Sequence, residues 1–272
     1  MFKRVMVAVV GLPLLILILG WAPSWATMLL LAAMCAIGAW ELMRAAAGEK
    51  GRPLIPLAVI AAALVPVCVY LEESIANAAL TALPVLPFAA LLGAVFIFVI
   101  FALAIHRYDE EKGIPFAAVT CAIFAGLVFP LMLSCLLRLR MMPAIGMLNV
   151  FLPLAISFGS DTFALFAGML CGKHKLAPKV SPKKTVEGAI GGLIGGMFGM
   201  AVMMFVGAAV ISDAYLGPRE VVLFGVIGSA ISQIGDPVSY THLRAHETLS
   251  ALRWRLLHYK KTGGGGGGGG GG

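Results

Sequence analysis

The chain has 272 residues, 60% of them hydrophobic and 12% charged, with a formal net charge of +7. Soluble domains carry roughly 25% charged residues, and a water-facing surface for a chain of this size needs more polar cover than this composition supplies. An ordinary water-soluble fold is thereby excluded, and so is a nucleic-acid surface: five Lys+Arg and one acid lie after Asp236, so much of the positive excess sits in the last 36 residues.

With lipid as the solvent, the chain is best divided into spans of about 20 residues. Apolar runs occupy approximately 5–22, 26–43, 54–71, 84–106, 114–137, 147–171, 187–211 and 219–235, which predicts an all-α polytopic bundle of about eight spans. The run after Met1-Phe2-Lys3-Arg4 lacks a small-residue cleavage site before the next apolar stretch, so it reads as a retained span, not a signal peptide. Pro23 and Ser24 leave little loop before the second span.

Orientation follows from where Lys and Arg fall between the spans. A cytoplasmic N-terminus places twelve of them inside: Lys3, Arg4, Arg44, Lys50, Arg52, Arg107, Lys112, Lys173, Lys175, Lys179, Lys183 and Lys184. Three remain outside, Arg138, Arg140 and Arg219, the first two at the boundary least well defined by sequence. The N-terminus and the lysine-rich segment 172–186 are therefore expected in the cytoplasm.

Five cysteines (Cys35, Cys68, Cys121, Cys135, Cys171) stand singly in apolar stretches. Without CxxC or Cys/His spacing they read as small buried hydrophobes, not zinc ligands.

The polar chemistry concentrates from Ser157 onward. Asp161 lies inside an apolar span, where an ionised carboxylate costs roughly 2.5–3.5 kcal/mol on insertion scales and so faces a wet cavity or a partner. Ser157, four residues earlier, falls on the same helical face. After Gly172 come five lysines and one histidine in fifteen residues; lysines at a membrane surface attract anionic headgroups at about 1 kcal/mol each. Pro178 and Pro182 stiffen this segment, and Ser181-Pro182-Lys183-Lys184-Thr185 stands directly before a helix start that Thr185 can cap. A helix N-terminus beside lysines and hydroxyls suits phosphate.

Beyond it, Gly188, Gly192 and Gly196 recur every four residues, as do Gly191, Gly195 and Gly199. These stripes let another helix approach closely. Gly225, Ser229, Ser232 and Asp236 form a small and polar stripe on the last span. Two acids from different helices, Asp161 and Asp236, beside a cationic phosphate loop match the needs of Mg²⁺-assisted phosphoryl or nucleotidyl chemistry.

Ser160-Asp161-Thr162-Phe163-Ala164, Gly172-Lys173-His174-Lys175-Leu176-Ala177-Pro178 and Val180-Ser181-Pro182-Lys183-Lys184-Thr185-Val186-Glu187-Gly188 together resemble the phosphatidate cytidylyltransferase (CDP-diacylglycerol synthase) family. The S-P-K-K-T-x-E-G run is the specific part, and Ser232-Gln233-Ile234-Gly235-Asp236 resembles the family's S-x-x-G-D segment. The resemblance implies transfer of CMP from CTP to phosphatidate, giving CDP-diacylglycerol and pyrophosphate in phospholipid biosynthesis. It implies Mg²⁺ as cofactor, with a monovalent cation as an optional companion, in the inner membrane of a bacterial cell. On this reading Asp161 and Asp236 hold metal, and Ser181, Lys183, Lys184 and Thr185 hold phosphate. Lys184 joins the two acids in the catalytic set, while Lys173, Lys175 and Lys179 assist electrostatically. The partners are CTP, phosphatidate and the bilayer, and the glycine stripes are compatible with a homodimer.

The pattern departs from the family after Asp236. None of the family's later Ser, Lys-Arg, Lys-Asp, His-Gly-Gly and Asp-Arg-x-Asp elements follows; instead comes PVSYTHLRAHETLSALRWRLLHYKKT and ten glycines. Pro237–Thr248 resembles a translated transposase-type sequencing adapter, and Gly263–Gly272 resembles translated poly-G base calls. Three regions are expected: N-terminal transmembrane helices 1–146, a partial catalytic transmembrane domain 147–236, and a foreign tail 237–272. The chain as written is expected to be an inactive fragment. The rival class is a membrane transporter or lipid flippase, which intramembrane acids and glycine-rich helices also suit. It predicts inverted repeats, which the sequence does not display, and has no need of the lysine and hydroxyl loop.

Overall fold

A computed structural model describes residues 11, 13–78, 87–108, 113–143, 145–177, 181–210 and 216–233, with the backbone alone for residues 177 and 181–183. The described chain is a helical membrane protein: six helices are long and apolar enough to cross a bilayer. Expected spans 5–22 and 219–235 fall partly outside the described residues, which show helix over 13–20 and 218–233. The chain divides into two units, Met1–Leu154 and Ala155–Gly272.

In the first unit, α1 (Ser24–Ala46) buries Thr27, Leu31, Cys35, Ala39 and Met43, one residue per turn along a narrow stripe. The helix α2 (Ile55–Ala78) buries Ala58, Ala61, Ala62 and Val65 and tolerates Pro66 in its interior. Small residues dominate because lipid gives no hydrophobic reward for helix association, so close van der Waals approach must supply it. The helix α3 (Phe88–His106) turns Phe96 and Ile100 inward.

α4 (Phe116–Met141) widens into a π turn at Phe124–Val128, just ahead of Pro130. A proline nitrogen cannot donate to the preceding turn, and a wide turn accommodates the defect. Gly126 sits there against the Phe96 ring, where a Cβ would lie 2.5 Å from the ring's far carbon.

The two arginines that stood outside the charge rule are both engaged within this unit. Arg138 and Arg140 lie in the last turn of α4, which runs four residues beyond the expected boundary. Arg138 pairs with Glu72 at 3.0 Å and Glu73 at 3.6 Å. Glu72 also accepts the Ala89 amide at 2.7 Å, so its carboxylate caps the exposed N–H groups at the start of α3. Arg140 donates to the carbonyls of Gly20, the last residue of the first helical segment, and of Ala22 just beyond it. Neutralisation by carboxylate and helix-end carbonyls removes much of the penalty for these cations at that end of the unit.

Large apolar side chains face outward: Phe98 is 74% exposed and Leu170 is 81% exposed. In water such a surface would be a liability; against acyl chains it is the solvated face.

The second unit contains most of α5 (Leu152–Cys171), a two-stranded antiparallel ribbon of β1 (Lys175–Ala177) and β2 (Ser181–Thr185), α6 (Val186–Val210) and the helix over 218–233, here α7. Among its described residues the lysine segment therefore forms a ribbon, paired Lys175 to Thr185 and Ala177 to Ser181. The ladder continues through the Val186 amide to the His174 carbonyl, which carries β2 directly into α6.

The two glycine stripes of α6 do different work. Gly191, Gly195 and Gly199 face α5, whose backbone at Phe163, Gly159 and Ala155 occupies the space any side chain would need. Gly188, Gly192 and Gly196 face polar atoms: Thr185 Oγ1, Gln233 Nε2 with Ser160 Oγ, and Ser229 Oγ. Meeting Gln233 at Gly192 and Ser229 at Gly196 makes α7 antiparallel to α6.

Candidate functional site

The second unit contains a cavity of about 420 Å³ at the ribbon end of its helices. Asp161, Ala164, Leu165, Gly168 and Met169 of α5 line it on one side. Leu176, Lys184 and Thr185 of the ribbon, Gly188 and Ala189 of α6, and Gln233 of α7 complete the lining. The volume is in the range of small-molecule sites, which combine apolar walls with a few converging polar groups.

Thr185 holds the floor in place. It precedes the first residue of α6, and its Oγ1 accepts the Gly188 amide at 3.1 Å, as expected of a helix cap. Its side chain lies against Gly168 and Gly172, where a Cβ would come within 3.2 Å and 3.0 Å of Oγ1. Glycine at these positions lets the ribbon lie close to the end of α5.

Glu187, in the first turn of α6, braces the ribbon from the other side. Its carboxylate accepts the His174 ring nitrogen at 2.7 Å and the His174 amide at 3.2 Å. His174 is thus bonded to Glu187 and is absent from the cavity lining.

Lys184 extends from β2 and donates to the backbone carbonyl of Gln233 at 3.2 Å. Gln233 in turn donates its amide to the Ala189 carbonyl at 3.1 Å and, more weakly at 3.5 Å, to Ser160 Oγ. Ser160 is fully buried, whereas its neighbour Asp161 is exposed and lines the cavity. Adjacent residues a quarter-turn apart therefore divide the labour, one holding the helices and one facing the cavity.

Of the residues expected from sequence, Asp161, Lys184 and Thr185 are brought to one cavity. Lys175 on β1 and Lys173 just ahead of it are exposed and do not line the cavity. Asp236 and Lys179 lie outside the described residues, as do the side chains of Ser181 and Lys183. Gln233, which lines the cavity, and Ser160, which bonds to it, stand inside the quoted motifs but were given no role in the site by sequence reasoning. The signal for Gln233 was present: it continues the four-residue step Gly225, Ser229, Gln233 along the face of α7 that meets α6.

Among the described residues no group of three or more His, Cys, Asp or Glu side chains is arranged to hold a metal. Magnesium does not require one, since it takes one or two carboxylates together with substrate phosphates and water. Asp161 supplies a hard oxygen donor at the cavity, and that donor set fits the ion.

No curated protein matches the chain at a significant level. A family model does, described as the cytidylyltransferase family and matching residues 2–240. With most of the chain matched, and a cavity lined by Asp161, Lys184 and Thr185 at the ribbon end of its helices, the protein belongs to the cytidylyltransferase family.

Proposed function

We propose that the second unit transfers CMP from CTP to phosphatidate, yielding CDP-diacylglycerol and pyrophosphate on the cytoplasmic side of a bacterial inner membrane. The observation that carries this reading is the lining of one cavity by Asp161, Lys184 and Thr185. Family membership supports a nucleoside triphosphate as donor, and a surface of exposed apolar side chains supports an acceptor drawn from the bilayer.

In the reaction, a phosphate oxygen of phosphatidate bonds to the α-phosphorus of CTP as the bond to the departing pyrophosphate breaks. Charge builds on phosphoryl oxygens, so catalysis is a matter of placement and electrostatic stabilisation. Lys184 would hold phosphate oxygens at the cavity, and the backbone N–H groups at the start of α6 would add the positive end of a helix dipole. Lys183 and Ser181 of the same strand would extend this cradle, with Lys173, Lys175 and Lys179 raising the local concentration of anions. Asp161 and Asp236 would hold Mg²⁺, which when bound neutralises phosphate charge and polarises the reacting phosphoryl group.

We take residues 237–272 as foreign sequence; resequencing the source locus tests that, and a continuous native frame through them would refute it. The functional test has two arms. The purified chain in phosphatidate-containing micelles with Mg²⁺ should bind labelled CTP in preference to ATP, and a full-length relative carrying the same motifs should transfer label to phosphatidate. Absence of CTP binding in the first arm together with absence of transfer in the second would overturn the assignment.

A further inference from the structure

The residue that joins the three helical parts of the cavity is Gln233. Its side chain enters the notch left by Gly192, where a Cβ would sit 2.5 Å from Nε2. There the amide reaches α6 through the Ala189 carbonyl and α5 through Ser160 Oγ. Its backbone carbonyl, on the other side, accepts Lys184 Nζ. A lysine has a flexible four-carbon stem and loses rotamer freedom when its ammonium is held. A fixed acceptor supplied before ligand arrives removes part of that cost at binding.

We propose that Gln233 is a positioning residue: its side chain locks α7 into the Gly192 notch so that its main-chain oxygen holds the Lys184 ammonium at the cavity. The proposal deepens the nucleotide-site reading and rests on it for its functional consequence, while the geometry of the latch stands independently. The Gly188-Gly192-Gly196 stripe then has a role beyond helix packing. Glycine at 192 leaves room for a polar side chain from α7 to reach the α6 backbone.

Two variants break the latch from opposite sides. Gln233→Ala removes the amide, and Gly192→Ala fills the notch while leaving the amide in place. Using the purified full chain, Mg²⁺ and labelled CTP, each should weaken binding by about tenfold, the effect of losing one hydrogen bond to a charged group. Lys184→Ala should weaken it at least as much. In the Lys184→Ala background, adding Gln233→Ala should change affinity by less than about twofold, since the glutamine acts through the lysine. A merely structural glutamine would keep its full effect in both backgrounds, and that result overturns the proposal.

A second measurement does not depend on CTP. Acetylation of Lys184 by a water-soluble active ester, read by mass spectrometry, should accelerate about fivefold in Gln233→Ala and in Gly192→Ala. Lys175, exposed on β1, serves as the internal control and should be unchanged. Failure of the wild-type chain to bind CTP would count against the nucleotide reading alone, because the labelling ratio still decides the latch. Equal labelling of Lys184 in wild type and both variants would refute it.

Discussion

Replacing Gly195 by alanine tests whether backbone contact between α5 and α6 holds the second unit together. A Cβ at this position meets the carbonyl oxygen of Gly159 and lies 2.6 Å from Phe163 Cβ. The first is main chain and cannot rotate away, so the two helices must part. Overpacking of this kind costs about 1–3 kcal/mol, and alanine recovers up to about 1 kcal/mol of helix propensity over glycine. Because the clashing atom is main chain, the upper end of that range applies, and the expected net loss is about 2 kcal/mol. Gly228→Ala is the matched control on α7. Its new Cβ would meet Ile156 Cγ2 at 3.0 Å and Cδ1 at 3.1 Å, the ends of a side chain that can shift, so propensity and contact should nearly cancel. Titration of both variants with SDS in mixed micelles, followed by far-ultraviolet circular dichroism, gives the order of stability. If Gly195→Ala unfolds at the wild-type midpoint, or Gly228→Ala proves the weaker of the two, the argument from backbone contact is wrong.

Three further outcomes are expected. Thr185→Ala should destabilise the second unit by about 1 kcal/mol through loss of the α6 cap, with Thr185→Ser restoring most of it in the same titration. Glu72→Ala should cost the first unit about 1–2 kcal/mol by uncapping α3 and loosening Arg138, and Glu72→Gln should cost less because its amide oxygen still accepts the Ala89 N–H. Asp161→Asn should weaken Mg²⁺-dependent CTP binding by at least the ~10-fold that even outer-shell changes cost metal sites; equilibrium dialysis with and without Mg²⁺ measures it, and unchanged binding would remove Asp161 from the site.

Membrane-spanning helices were legible in the amino-acid sequence because lipid imposes a one-dimensional rule. Each span must satisfy its own backbone hydrogen bonds and present about 20 apolar residues, and neither demand depends on what packs alongside. Thr185 was legible as a cap for a similar reason, since a hydroxyl just ahead of a helix acts within one turn. Asp161 stood out because a carboxylate in an apolar run is costly wherever the run is placed. Family membership was also readable from Ser181 to Gly188, a short segment whose chemistry is local.

Other features required tertiary contacts. Lysines spaced along 172–186 announce charge, but a two-stranded ribbon depends on cross-strand partners that no local pattern specifies. Arg138 and Arg140 looked like exceptions to a topological rule until Glu72, Glu73 and the carbonyls of Gly20 and Ala22 met them from distant positions. The glycine stripes marked close approach without saying to what. One faces the backbone of α5 and the other admits Ser160, Gln233 and Ser229, a difference set by which neighbour lies on each side. Sequence alone determined that this chain spans a membrane and carries lysines beside a hydroxyl-capped helix start. Tertiary packing decided which polar groups that cap meets, because hydrogen bonds between helices depend on their relative placement, which residue order does not encode locally.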